Sequence, residues 1–180
     1  VYQNVEEMLE VEDAGVLISA RLRLADGFLE IGESEKAREH AMSVHDLSLE
    51  LNEHQLHARS RVILGRYYAK TKDSELSLLH YNAALETFSE EANPTNAVET
   101  EMLLGQVLVD VGRTSEASEH YLDALSIAEA NDFRLLQAEI LARLGTIRGD
   151  RSERVAYLQR SLSVFKDLGA HTRMKEIQNS

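Results

Sequence analysis

Apolar residues recur along the chain in amphipathic segments that are separated by short polar breaks. In residues 100–112 the apolar positions are three and four apart, which is the spacing of a helix with one buried face. Gly112 suits the left-handed position that closes a helix, and Thr114 or Ser115 can cap the next helix through a side-chain oxygen. Residues 100–125 are therefore predicted to form two helices joined by a tight turn.

The same order of segments returns at a constant interval along the chain. Four leucine-plus-small-residue pairs mark this interval: Leu24-Ala25, Leu64-Gly65, Leu104-Gly105 and Leu144-Gly145. A fixed period of about 40 residues indicates a stack of helical hairpins, so an all-α fold is predicted. The predicted single domain comprises a lead-in helix at 1–17, repeats at 18–57, 58–97, 98–137 and 138–169, and a partial capping helix at 170–180.

Small residues are expected where the two helices of a hairpin meet. Gly105 and Ala117 would allow close approach, while Tyr121 and Leu125 would fill the groove between successive hairpins. We expect a larger residue at Gly105 to overpack this contact.

These positions resemble the tetratricopeptide repeat family over roughly residues 18–170. The family's leucine, glycine, small, aromatic and small positions are matched by Leu104, Gly105, Ala117, Tyr121 and Ala124, and by Leu64, Gly65, Ser77, Tyr81 and Ala84. The resemblance implies a right-handed superhelical array of antiparallel hairpins that binds a protein or peptide on its concave face. Because the family's unit is shorter, at about 34 residues, the extra residues of each repeat here are expected to lengthen both helices and loops.

Two units depart from the family pattern. The first has Ala25 in place of the glycine and Ala41 in place of the aromatic residue. In the fourth, Gly149-Asp150 arrives three residues early. Its first helix is therefore predicted to lose about one turn, and its second helix to begin near Ser152.

Composition narrows the classes of partner and compartment. A formal net charge of −12 and a pI near 5.0 argue against direct nucleic-acid binding. The sequence contains no cysteine and no apolar run long enough to cross a bilayer, so a cytoplasmic protein without a membrane contact is predicted. Because the chain starts at Val1, we expect it to be a segment of a longer protein.

Candidate binding residues come from aligning the first helices of the repeats. Arg59, Arg66 and Lys70 are seven and four residues apart, so they share one helix face. The full set predicted for the concave face is Arg23, Asp26, Arg59, Val62, Ile63, Arg66, Lys70 and Gln106.

Two interpretations of these charges remain open. The basic residues could hold an acidic or carboxylate-bearing segment, since arginine pairs well with planar carboxylates. Alternatively, they pair with neighbouring carboxylates and hold the hairpins in register, with Arg66 on Asp26, Lys70 on Glu30 or Asp110, and Arg59 on Glu99. Exposed pairs of this kind contribute only about 0 to 1 kcal/mol each.

Neither a metal site, a cofactor nor a catalytic site is predicted. His54 and His57 lie three residues apart, and His40, His80 and His120 are 40 residues apart because they occupy one repeat position. No cysteine and no suitably spaced carboxylate accompanies them as a further metal ligand. Partly solvated histidines are expected. The chain has no phosphate loop, nucleophile elbow or metalloprotease motif, so it is predicted not to be an enzyme.

The function predicted is a protein-interaction or scaffold module that binds a peptide or protein, as the regulatory part of a larger signalling protein. Similar arrays with this longer period occur in bacterial transcription regulators and diguanylate cyclases. The alternative is a sensory input domain that binds a small molecule or peptide and controls such an output domain.

Self-association through the terminal helices also remains open. Its surface would consist of four residues that otherwise pack under the last short helix: Tyr157, Leu158, Leu162 and Phe165.

Overall fold

The computed structural model describes residues 14–147 and 149–170, and these residues contain eight helices and no strand. The helices are α1 (Ala14–Glu30), α2 (Ser34–Glu50), α3 (His54–Lys70), α4 (Ser74–Glu90), α5 (Pro94–Asp110), α6 (Thr114–Ala130), α7 (Arg134–Thr146) and α8 (Arg151–Asp167). The all-α prediction is confirmed. Most of the predicted lead-in and capping helices lie outside the described residues.

The helices form four antiparallel hairpins in two compact units. The first unit contains α1 to α4 and the second contains α5 to α8. The hairpins begin at Ala14, His54, Pro94 and Arg134, whereas the predicted repeats begin at 18, 58, 98 and 138. None of the helices in the described part of the chain is long and apolar enough to span a bilayer.

Most of the turns share one geometry. Left-handed residues stand at Gly32, Asn52, Lys72, Ala92, Gly112 and Asp132, each in a three-residue turn. At Gly112, the amide of Gly112 donates to Val109 at 3.0 Å and that of Arg113 donates to Leu108 at 2.8 Å, which satisfies carbonyls at the end of α5. Because these turns stay short within and between hairpins, the extra residues of the repeat lengthen the helices and not the loops.

Glycine and tyrosine form the contact inside the middle two hairpins. A Cβ atom on Gly65 would lie 2.5 Å from Tyr81 Cε1, and one on Gly105 would lie 2.8 Å from Tyr121 Cδ1. Both tyrosines are about 1% exposed. The close approach predicted at Gly105 is confirmed, but Tyr121 packs on the glycine of its own hairpin. In the first hairpin, buried Ala25 and Ala41 occupy the two positions.

The fourth hairpin is irregular, as predicted. Helix α7 has 13 residues, whereas α5 and α6 have 17 each. Ile147 then adopts an extended conformation, and the Asp150 carboxylate accepts from the Ser152 amide at 3.2 Å to cap α8. Here Leu158 takes the place of the tyrosine, because it lies 2.5 Å from where a Cβ on Gly145 would be.

Candidate binding surface

One group of predicted site residues lies on α1 and α3 of the first unit. We call Arg23, Asp26, Arg59, Val62, Arg66 and Lys70 the first-helix face. At its centre, Arg66 Nη1 donates to Asp26 Oδ1 at 2.6 Å, with the two side chains 33% and 41% exposed. Burial raises the pKa of Asp26, and the nearby Arg66 and Arg59 oppose that increase. The predicted pair between neighbouring repeats therefore forms.

The other residues of the first unit differ in what they offer to a partner. Lys70 Nζ donates to the backbone carbonyl of Leu29, and so it caps the end of α1 rather than pairing with Glu30. Ile63 is only 3% exposed in the core, so it offers no contact surface. Val62 is half-buried, and Arg23 is exposed.

Arg23 lies beside a second feature of the first unit, an open cleft of about 540 Å³. The cleft is lined by Gly15, Val16, Ser19, Ala20, Arg23, Glu53 and Leu56. The lining therefore combines one basic side chain, Arg23, and one acidic side chain, Glu53, with apolar residues.

Gln106 belongs to a separate polar network in the second unit. Its Nε2 donates to Asp110 Oδ1 at 2.9 Å, and its Oε1 accepts from Arg143 Nη1 at 2.8 Å. Burial raises the pKa of Tyr121, and interaction with the Arg143 guanidinium opposes that increase. Gln106 therefore links an acid on its own helix to an arginine on α7.

This network borders a cleft of about 340 Å³. Its lining residues are Gln106, Val109, Thr114, Tyr121, Arg143, Thr146 and Ile147. Arg143 was absent from the predicted site. It occupies the same repeat position as Arg23, and this shared basic residue was the signal that could have identified it, although the two middle repeats carry Ile63 and Leu103 there.

Histidines are not grouped as metal ligands would be. Within residues 14–147 and 149–170, no three histidines, aspartates or glutamates are placed to hold one ion. His57 contacts His45 of α2, with ring centroids 4.3 Å apart. These rings are part of the packing between helices.

Comparison with known proteins identifies the hairpin type. Residues 102–131, which span the second half of α5 and all of α6, match the family model described as tetratricopeptide repeat. This match and the structural neighbours below confirm the predicted tetratricopeptide resemblance. No curated protein matches the sequence.

Three solved structures share the fold. A Rap protein complexed with Competence and Sporulation Factor superposes with a TM-score of 0.88 at 18% identity, covering 98% of this chain and 50% of that one. A signal-transduction ATPase with a tetratricopeptide repeat sensor, from Pyrococcus horikoshii, gives 0.82 at 15% identity, covering 97% and 28%. The Rap conjugation gene regulator of plasmid pLS20, in complex with the Phr* peptide, gives 0.64 at 16% identity, covering 91% and 48%. This chain thus spans half or less of each of these proteins.

Proposed function

From the premise that this chain is built of tetratricopeptide-type hairpins, we propose that it is a non-catalytic interaction module for a protein or peptide partner. The observation that carries the proposal is the first-helix face, where charged side chains are held in place but remain partly open to solvent. The Asp26 and Arg66 side chains orient each other at 2.6 Å and keep 41% and 33% of their surface exposed. Such a pair can exchange its internal contact for one with a partner.

The contact residues proposed are Arg23, Asp26, Arg59, Val62, Arg66 and Lys70, with Gln106 in the second unit. Arg59 and Arg66 offer guanidinium groups, and Val62 adds apolar surface beside them. A partner with an extended acidic segment suits this combination, since arginine binds carboxylates through two parallel hydrogen bonds. A peptide-bound structure among the neighbours supports a peptide partner for this fold.

A pull-down from a lysate of the native source tests the proposal. The test variant changes Arg59, Arg66 and Lys70 to Gln, because Glu at position 66 would repel Asp26. We expect a specific partner on the wild type and at least about tenfold less of it on this variant.

A matched control removes three other positive charges of the first unit. Lys36 and Arg38 lie on α2 and pair with Glu33 and Glu35, and Lys72 lies in the turn before α4. The variant with all three changed to Gln should keep the partner, and circular dichroism should show equal helicity for all three proteins. Equal losses in both variants would contradict the proposed surface, and no specific partner for any protein would contradict the module.

A second candidate is a sensory input domain within a longer signalling protein. One similar structure is described as carrying a tetratricopeptide repeat sensor, and this chain covers 28% of it. Sequencing the complete gene product tests this alternative. An output domain beside these hairpins, with activity that changes when the partner binds, would support a sensor, whereas the absence of both would leave an adaptor.

A further inference from the structure

We propose that the cleft beside Arg143, in the second unit, is a binding site for a single carboxylate of the partner. This inference rests on the proposed interaction function and assigns a ligand class to a site outside the first-helix face. Arg143 on α7 and Arg66 on α3 differ in the groups to which they donate.

Arg143 lacks the charge compensation that Arg66 has. Arg66 donates to the Asp26 carboxylate at 2.6 Å. Arg143 donates to the neutral amide oxygen of Gln106 at 2.8 Å and interacts with the Tyr121 hydroxyl. Across residues 14–147 and 149–170, no carboxylate forms an ion pair with Arg143. The guanidinium therefore keeps donors for an external anion.

The surrounding residues orient Arg143. Gln106 accepts from Nη1, and Asp110 accepts from the Gln106 amide at 2.9 Å, which fixes the direction in which that amide points. Tyr121 packs against Gly105 and is about 1% exposed, so its ring is enclosed by the core. An arginine that is held by neutral partners on two sides loses little side-chain entropy when a ligand binds.

The dimensions of the cleft restrict the ligand. Its volume of about 340 Å³ is near the lower end of ligand pockets, which suits one residue-sized group. Val109 can contact the apolar part of that group and Thr114 offers a hydroxyl, while the Thr146 hydroxyl donates to the Arg143 backbone carbonyl at 2.7 Å. A single guanidinium balances one negative charge, and the chain's net charge of −12 disfavours a dianion such as phosphate.

The carboxylate could come from a chain terminus or from an acidic side chain, and small probes separate these sources. The full chain, labelled with ¹⁵N, is titrated with N-acetyl-leucine, which carries a terminal carboxylate, and with the α-amide of N-acetyl-aspartic acid, which carries only the side-chain carboxylate. N-acetyl-leucinamide is the uncharged control. We expect saturable shifts of the Gln106 side-chain amide and the Arg143 Nε–H with at least one acid, and none with the amide.

Two variants locate the site. Arg143→Gln should weaken binding of the acid by about tenfold or more, because it removes a charge-assisted bidentate contact. Arg160→Gln, which changes another arginine of the second unit that pairs with Glu129 at 3.0 Å and does not line the cleft, should leave the affinity unchanged. If Arg143→Gln loses helicity, Arg143→Lys keeps the charge without the planar fork and should bind the acid more weakly than the wild type.

Some outcomes would overturn the inference. Equal shifts with N-acetyl-leucine and its amide would show that the carboxylate is not recognised, and equal weakening by both Gln variants would show that the site is elsewhere. The proposed function is judged separately by the pull-down. A partner retained equally by the wild type and by Arg143→Gln would reject this subsite and keep the module.

Discussion

The second and third hairpins carry a histidine at the same repeat position, yet their surroundings are of opposite sign. His80 lies on α4 and His120 on α6, one repeat later. The residue facing them from the preceding helix is Arg61 in the first unit and Glu101 in the second, and these two also share one repeat position. The exchange of arginine for glutamate at one repeat position therefore reverses the charge that lies next to the histidine.

In the first unit three histidines, His45, His57 and His80, have lowered pKa values. His80 stacks on Tyr68 with ring centroids 5.3 Å apart, and burial together with Arg61 and His45 lowers its pKa. The pKa of His57 falls to about 4, first through burial and then through His45, Arg61 and His54. Burial and Arg61 also lower the pKa of His45, against the opposing effect of Asp46.

In the second unit the histidine is stabilised in its charged form. His120 Nδ1 lies 2.6 Å from Glu101 Oε2, and the Glu101 side chain is only 8% exposed. This hydrogen bond raises the pKa of His120, against the opposing effect of burial. The repeat thus fixes where these two histidines lie, while burial lowers the pKa of His80 with a further contribution from Arg61, and the Glu101 hydrogen bond raises that of His120.

Both units share a glycine–tyrosine contact inside a hairpin, and disrupting this contact should have the largest effect on stability. Gly65→Leu and Gly105→Leu should each destabilise the protein by roughly 1 to 3 kcal/mol, because the added side chain meets Tyr81 or Tyr121. Urea denaturation measures the loss. Gly27→Leu is the control, since a Cβ at Gly27 has no neighbour within 4 Å. A loss for Gly27→Leu as large as that of the other two would refute the packing explanation.

In the second unit, the charge next to His120 can be reversed by a single substitution. Glu101→Arg should lower the pKa of His120 below its ordinary value, because the residue that now faces the ring carries a positive charge. The substitution should also cost about 1 to 3 kcal/mol at pH 6, since a buried charge-assisted hydrogen bond is lost. Titration of the His120 ring by NMR and denaturation at pH 6 measure the two effects. An unchanged pKa would show that Glu101 does not determine the charge of His120.

The pH dependence of stability should differ between the two environments. Because the pKa values of His45, His57 and His80 are lowered, the unfolded chain binds more protons, and stability should fall as the pH drops from about 6.5 towards 4. The raised pKa of His120 acts in the other direction: its contribution is complete below about pH 6.5 and is lost as the pH rises through the folded-state pKa.

Denaturation curves between pH 4 and pH 8 separate these contributions, and two variants assign them. His57→Gln should reduce the acid loss, and His120→Gln should reduce the loss on the alkaline side. Identical pH profiles for the wild type and His57→Gln would show that this ring does not titrate with folding.

The helices and their pairing were predictable because a fixed repeat period and the leucine–glycine positions are local signals in the sequence. The uniform turns were not, since Lys72 and Ala92 adopt left-handed conformations without the glycine that marks Gly112. The ion pair of Asp26 with Arg66 followed from the repeat alignment.

Arg143 was missed because its repeat position holds the apolar residues Ile63 and Leu103 in the second and third hairpins, so nothing there indicated a basic site in the second unit. The burial of Ile63 and the opposite pKa shifts of His80 and His120 depend on which side chains face each other, and periodicity alone does not specify these contacts.

The smallest effect is expected from the opposite substitution in the first unit, where a carboxylate replaces Arg61. Arg61→Glu should raise the pKa of His80, because a carboxylate then faces the ring from α3. Stability should change little, since Arg61 is half-buried and forms no ion pair with another described residue. NMR titration of His80 measures the shift, with Arg61→Gln as the control that removes the positive charge without adding a negative one. The pKa should rise in the order wild type, Gln, Glu; equal values in Arg61→Gln and Arg61→Glu would mean that the added carboxylate does not reach the ring.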